Sequence, residues 1–78
     1  MVVQAYILIQ TEVGKAADVA REIAEIAGVM QAEGVTGPYD VIVRASAEHM
    51  DELGKLVEAH IHAVAGITRT LTCPVVSI

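Results

Sequence analysis

The hydrophobic positions keep two rhythms along the chain, and each change of rhythm marks a new element. In residues 2–10, VVQAYILIQ, Val3, Ala5, Ile7 and Ile9 alternate with Val2, Gln4, Tyr6, Leu8 and Gln10. A period of two predicts a strand. Both sides of it are largely apolar, so both faces are expected to be covered. From Lys15 to Ala27 the apolar residues Ala16, Val19, Ala20, Ile23, Ile26 and Ala27 recur at three and four, with charged residues between them. That predicts an amphipathic helix, closed by Gly28, with Lys15–Asp18 and Arg21–Glu25 as neighbouring ion pairs. Residues 29–36, VMQAEGVT, return to a strand, in which Gly34 suggests a bulge or a close backbone approach. Gly37-Pro38 makes a turn into a third strand, residues 40–45, DVIVRA, and so short a connection predicts an antiparallel hairpin. Ser46 is placed to cap a second helix carrying Met50, Leu53, Leu56, Val57, Ile61 and Val64 and ended by Gly66. Gly54 weakens that helix and suggests close packing by a strand or a second helix. Residues 67–73, ITRTLTC, form a fourth strand. Pro74 cannot donate to a ladder, so this strand is expected at a sheet edge. Residues 75–78 remain apolar and are expected to meet a neighbouring subunit.

The order is β-α-β-β-α-β, and an internal echo supports it: Ala27-Gly28-Val29 after the first helix returns as Ala65-Gly66-Ile67 after the second. Two such halves predict an α+β, ferredoxin-like sandwich. Right-handed crossovers place both helices on one face of a four-stranded antiparallel sheet. The other face is left bare, and its simplest cover is the same face of a second copy, giving a dimer of the dimeric α/β barrel type.

Composition strengthens that expectation. The chain has 78 residues and is expected to be a single domain over 1–78. A domain this short buries only about 60% of its unfolded surface. Yet 54% of its residues are hydrophobic and the mean hydropathy is +0.53. No run approaches the roughly 18 apolar residues of a membrane helix, and Met1-Val2-Val3-Gln4 lacks the basic start of a signal peptide. The excess therefore points to a soluble homo-oligomer, and the single cysteine fits a reducing cytoplasm. A net charge of −5, with five Lys+Arg against ten Asp+Glu, argues against direct nucleic-acid binding. Cys73 is the one cysteine, so no intrachain disulfide forms, and it reads as a small buried apolar side chain.

The run Val35-Thr36-Gly37-Pro38-Tyr39-Asp40-Val41-Ile42-Val43 resembles the "tG-x-yD" hairpin of the Lrp/AsnC family of transcriptional regulators, within their C-terminal effector-binding (RAM) domain. Ala65-Gly66-Ile67-Thr68-Arg69-Thr70-Leu71-Thr72 resembles the same family's "pGV-x-x-t-x-T" segment. The full regulators carry a helix-turn-helix domain before this one, and nothing here precedes the first strand. The resemblance therefore implies a stand-alone effector domain. It implies dimers formed through the sheets, their assembly into octamers or decamers, and amino-acid effectors bound between dimers. It places the Gly37–Asp40 loop near the effector, and the strand bearing Thr70 and Thr72 there as well. A partner implied by the same resemblance is a full-length regulator of the family, reached through protein–protein contact. Pro38 departs from the pattern by removing one backbone donor from the loop.

The residues suit such a ligand. An amino acid offers an ammonium that needs acceptors, a carboxylate that needs donors, and a side chain that needs a shaped pocket. Asp40 is an acceptor for the ammonium, or equally an acceptor for backbone amides of its own turn. Gly37 lets the backbone approach a ligand. Tyr39 offers a wall and a hydroxyl. Thr68, Thr70 and Thr72 fall on one side of their strand by period two and offer hydroxyls to a carboxylate, although β-branched threonine is also a common strand residue. His60 and His62 point about 200° apart on a helix, and Glu58 with His62 makes only two metal ligands. A metal site is therefore not expected, and His60 reads as a partly buried structural histidine. No cofactor is expected. Two alternatives to a sensor stand: a cofactor-free enzyme of the dimeric α/β barrel type, without an evident nucleophile–base pair, and a purely structural assembly module.

Overall fold

In the computed structural model, which describes residues 2–76, the elements follow the expected order. They are β1 (Val3–Thr11), α1 (Ala16–Ala24), β2 (Val29–Gly34), β3 (Val41–Ala47), α2 (Met50–Lys55) running into a π-helical segment (Leu56–Ile61), and β4 (Ile67–Pro74). The strands form one sheet in the order β2-β3-β1-β4, and every neighbouring pair is antiparallel. The architecture is a ferredoxin-like βαββαβ sandwich.

The alternation in β1 decides the layering. Ala5, Ile7 and Ile9 are fully buried, as are their β3 counterparts Val41, Val43 and Ala45. They meet Val19 and Ile23 of α1, Leu53 of α2 and Leu56, Val57 and Ile61 of the π-helical segment in one apolar core, and no polar or charged residue is buried among the described residues. The opposite sheet face carries Tyr6 between Arg44 and Cys73, and Leu8 between Ile42 and Leu71. Tyr6 and Leu71 remain 40% and 43% exposed there. The Arg44 guanidinium lies 5.4 Å from the centre of the Tyr6 ring; its terminal nitrogens donate to Tyr6 Oη at 3.2 Å and Gln4 Oε1 at 2.6 Å. Arg44 Nε is buried with no hydrogen-bond partner among the described residues. Cys73 is accordingly exposed rather than buried, because it faces this open side of the sheet.

Both helices hand over to their following strands through a glycine with positive φ. Gly28 sits at +95° and Gly66 at +96°, a region that costs other residues about 1–2 kcal/mol. Space adds to the requirement: a Cβ on Gly28 would stand 3.2 Å from Ser46 O, and one on Gly66 would stand 3.1 Å from Lys15 Cβ. The sequence echo is therefore a repeated backbone device.

Several local expectations are corrected. Ser46 does not cap α2, because β3 continues through it to Ala47 and pairs with β1. His49 takes the cap position in an extended conformation, and the Glu52 carboxylate accepts the Glu48 amide at 3.1 Å. The irregularity of β2 falls between Val29 and Gln31, not at Gly34, which pairs with Val41. Arg21 bonds Asp18 at 3.1 Å rather than Glu25. A Cβ on Gly54 would meet nothing within 4 Å.

The second helix departs most from expectation. Leu56, Val57 and Ile61 all reach the core, as their spacing predicts, but His60, four residues after Leu56, does not. A π turn, closed by the His62 amide donating to Val57 O at 2.9 Å, runs through this segment, and His60 is exposed rather than partly buried. At the other end of the chain, β4 is an edge strand ending at Pro74, as its missing donor requires. Val75 and Val76 are exposed, while residues 77–78 of the expected subunit contact lie outside the described residues.

Candidate functional site

The turn between β2 and β3 is tied to the end of β1. Asp40 Oδ2 accepts the Thr11 amide at 2.8 Å, the Asp40 amide donates to Ile9 O at 2.8 Å, and Gln10 Nε2 donates to Pro38 O at 3.0 Å. The Val35 amide closes the turn onto Asp40 O at 2.9 Å. Asp40 thus serves backbone amides, as one reading of the sequence had it, but the amide its side chain takes belongs to β1 and not to its own turn. Its Oδ1 makes no hydrogen bond among the described residues. Gly37 and Pro38 are exposed, and Tyr39 and Asp40 half-buried. A Cβ on Gly37 would meet nothing within 4 Å, so the hairpin tip faces open space.

The threonines lie elsewhere. Thr70 pairs with Ile9 and Thr72 with Ile7. Both β1 partners are core residues, so Thr70 and Thr72 look toward the helices and not toward the open sheet face. Thr68 does not join their alternation, because the register shifts between Gln10 and Thr11 and leaves it opposite no β1 residue.

Thr70 instead meets a residue that sequence reasoning did not place in the site. Its Oγ1 lies 2.8 Å from His62 Nε2, which the π turn has carried to the edge of β4. The two share a trough between β4 and the second helix. One end, about 360 Å³, is lined by Thr68, Arg69, Thr70 and His62. The other, about 310 Å³, runs past Thr72 to Leu53, Gly54 and Val57, with Glu58 on its margin. No residue of Gly37–Asp40 lines either end. The one available signal for His62 was its four-residue spacing from Glu58; the contact with Thr70 depends on the π turn, which periodicity does not reveal.

The arrangement offers a hairpin with a carboxylate oxygen at its tip and, apart from it, a trough with donors at one end and apolar walls at the other. It offers little to a metal: among the described residues no three His, Cys, Asp or Glu side chains group together. It also offers little to base catalysis. His62 and Thr70 are a histidine–hydroxyl pair, but nothing among the described residues accepts from Nδ1 to orient the ring. No helix among the described residues is long and apolar enough to cross a membrane.

Comparisons with known proteins agree with this fold and extend it. Residues 4–78 match the family model described as the Lrp/AsnC ligand binding domain. An uncharacterized HTH-type transcriptional regulator of Pyrococcus furiosus, PF0250, is 33% identical over 55 residues, which are 70% of this chain and 37% of that protein. A homocitrate synthase of Sulfurisphaera tokodaii is 37% identical over 54 residues, 69% of this chain but 12% of the enzyme. The chain thus spans well under half the length of these curated relatives. Among solved structures, TTHA0845 from Thermus thermophilus superposes with a TM-score of 0.91 at 28% identity, over 97% of this chain and 95% of that one. The transcriptional regulator NMB0573 of Neisseria meningitidis, solved as a complex with L-Met, shares the fold with a TM-score of 0.84 at 18% identity, over 96% of this chain and 50% of that one. Matched along nearly its whole length, the chain belongs to the Lrp/AsnC ligand-binding domain family.

Proposed function

We propose that the chain is an effector-sensing module that holds an amino acid or related small zwitterion between copies of itself and so alters its assembly or its partner. The observation that carries this reading is the separation of the site's two halves. The hairpin Gly37–Asp40 and the Thr70–Thr72 edge do not share a cavity within one chain. A ligand that uses both therefore bridges two copies, with the Asp40 carboxylate accepting from its ammonium and the threonine hydroxyls donating to its carboxylate. Pro38, Tyr39 and Thr68 border these contacts. The open sheet face supports a dimer beneath this arrangement, because Tyr6, Leu8, Ile42 and Leu71 lie together on a face that nothing in the single chain covers. Assembly of such dimers into larger rings brings hairpin and trough together. A ligand that prefers one assembly shifts the population toward it.

The module is read as regulatory and not catalytic, located in the cytoplasm and acting through protein contact. A net charge of −5 disfavours direct contact with nucleic acid, so a full-length regulator of the same family is the partner proposed. A second reading has its own observation. The likeness to a segment of homocitrate synthase makes control of an enzyme an alternative output for the same sensing step.

Calorimetric titration of the chain with each of the twenty amino acids tests the sensing step. One or a few are expected to bind, and Asp40→Ala is expected to weaken them at least tenfold, about 1.4 kcal/mol, with the mass by light scattering unchanged. Wild-type protein that binds none of them at millimolar concentration contradicts the reading. So does an Asp40→Ala variant that binds as the wild type does.

A further inference from the structure

Among the described residues, the strand register sets three charged side chains on the open face of the sheet. Arg44 stands opposite Tyr6, Glu33 opposite Ile42 and Arg69 opposite Gln10. β2 and β4 are the two edges of the sheet, so Glu33 and Arg69 occupy opposite rims. Ile42, Leu8 and Leu71 continue the row that Glu33 begins. Arg44 is engaged within the chain by Tyr6 and Gln4. Glu33 and Arg69 are exposed, and among the described residues neither has a charged partner in its own chain.

A second copy packed face to face obeys a twofold relation, in which every contact occurs twice. Stacked sheets keep their strands within about 30° of one another, so two orientations compete. An axis across the strands, through the apolar row, lays β2 on β2 and β4 on β4. Glu33 then meets its own copy, and like charges brought together suppress association. An axis along the strands lays β2 of each copy on β4 of the other. Glu33 then faces Leu71 of the second copy, two residues from Arg69 on the same strand, and the contact recurs at the other rim. Between the rims, Ile42 of each copy covers Leu8 of the other.

We propose that Glu33 of one copy pairs with Arg69 of the other at both rims of the sheet-to-sheet interface, and that this reciprocal pair selects a second copy of this chain as the occupant of the face and fixes its orientation. The inference rests on the sheet-face dimer of the reading above and not on its ligand. Exposed ion pairs add little affinity, but charge complementarity discriminates between partners. A chain without opposite charges at these two positions is therefore disfavoured on this face. The same orientation keeps strand direction, and so brings both Gly37–Asp40 hairpins to one end of the dimer.

Light scattering and sedimentation of the full chain at graded concentrations test the pair. Glu33→Arg and Arg69→Glu, each alone, are expected to weaken the dimer at least tenfold, with the circular dichroism of the fold unchanged. An equimolar mixture of the two variants is expected to regain wild-type dimerisation, because each contact then joins opposite charges. The chain carrying both substitutions is expected to regain it for the same reason. Glu33→Gln is expected to associate no more tightly than the wild type. Tighter association by that variant overturns the proposal, since it shows that like charges met at this rim. Single reversals that dimerise as the wild type does overturn it too, as does a mixture that stays dissociated. A wild type that remains a single chain at every concentration overturns it together with the dimer. If the wild type dimerises and the reversals behave as expected, but no amino acid binds, the sensing reading falls and this one stands.

Discussion

Asp40 joins the two strands that matter most to the hairpin's position. Its carboxylate accepts the Thr11 amide across 29 residues of sequence, so its removal leaves a half-buried donor unpaired. Asp40→Ala is expected to lower stability by about 1–2 kcal/mol, read as a lower urea midpoint with an unchanged slope, and Asp40→Asn less, since its amide oxygen still accepts. The sequence showed that this aspartate would serve backbone amides, a ligand, or both. It did not show which amide, because that depends on β3 lying beside β1. Gly28 and Gly66 were more legible, since a recurring Ala-Gly before a β-branched residue points to the same turn twice. Gly66→Ala is expected to cost at least about 1–2 kcal/mol through its positive φ alone. The contact of a new Cβ with Lys15 at 3.1 Å adds to that cost.

Among the elements, the strands and α1 were legible because each keeps one period. The second helix was legible in its core face, since Leu53, Leu56, Val57 and Ile61 fit one apolar stripe and are all buried as their spacing predicts. His60, however, is exposed and not partly buried, and periodicity did not reveal the π turn over Leu56–Ile61. π-helical turns often mark functional positions, and here the turn aligns His62 with Thr70. Ile61 fills the core at 0% exposure, so Ile61→Ala is expected to cost about 2–5 kcal/mol in chemical denaturation. Gly54 gives the opposite expectation. It lies in α2 with open space around it. Gly54→Ala is expected to stabilise by up to about 1 kcal/mol, a rise of about 4–8 °C in Tm for a domain of this size. The trough itself was not legible, because it forms where an edge strand meets a helix far from it in sequence, beside a π turn that periodicity does not show.

For the whole molecule, the balance of surface and core is the informative quantity. The accessible area is 5051 Å², above the roughly 4,500 Å² expected of a monomeric protein of this mass. Part of the surplus is the sheet face bearing Tyr6, Leu8, Ile42 and Leu71. The excess of apolar residues in the sequence already pointed to such a face, and the pairing of the strands puts names to it. Leu71→Glu sets a charge at its centre and is expected to reduce the mass by light scattering to that of a single chain, with the helical signal retained. The central claim, that a small zwitterion bound between copies gates their assembly, is tested most directly by a thermal-shift screen against the twenty amino acids, with light scattering on the same samples. A ligand that binds only the folded form, present at 100 times its dissociation constant, adds about 2.7 kcal/mol. The account predicts a selective rise in Tm with one or a few amino acids, accompanied by a change in mass. A stable oligomer whose Tm and mass respond to none of them would contradict it.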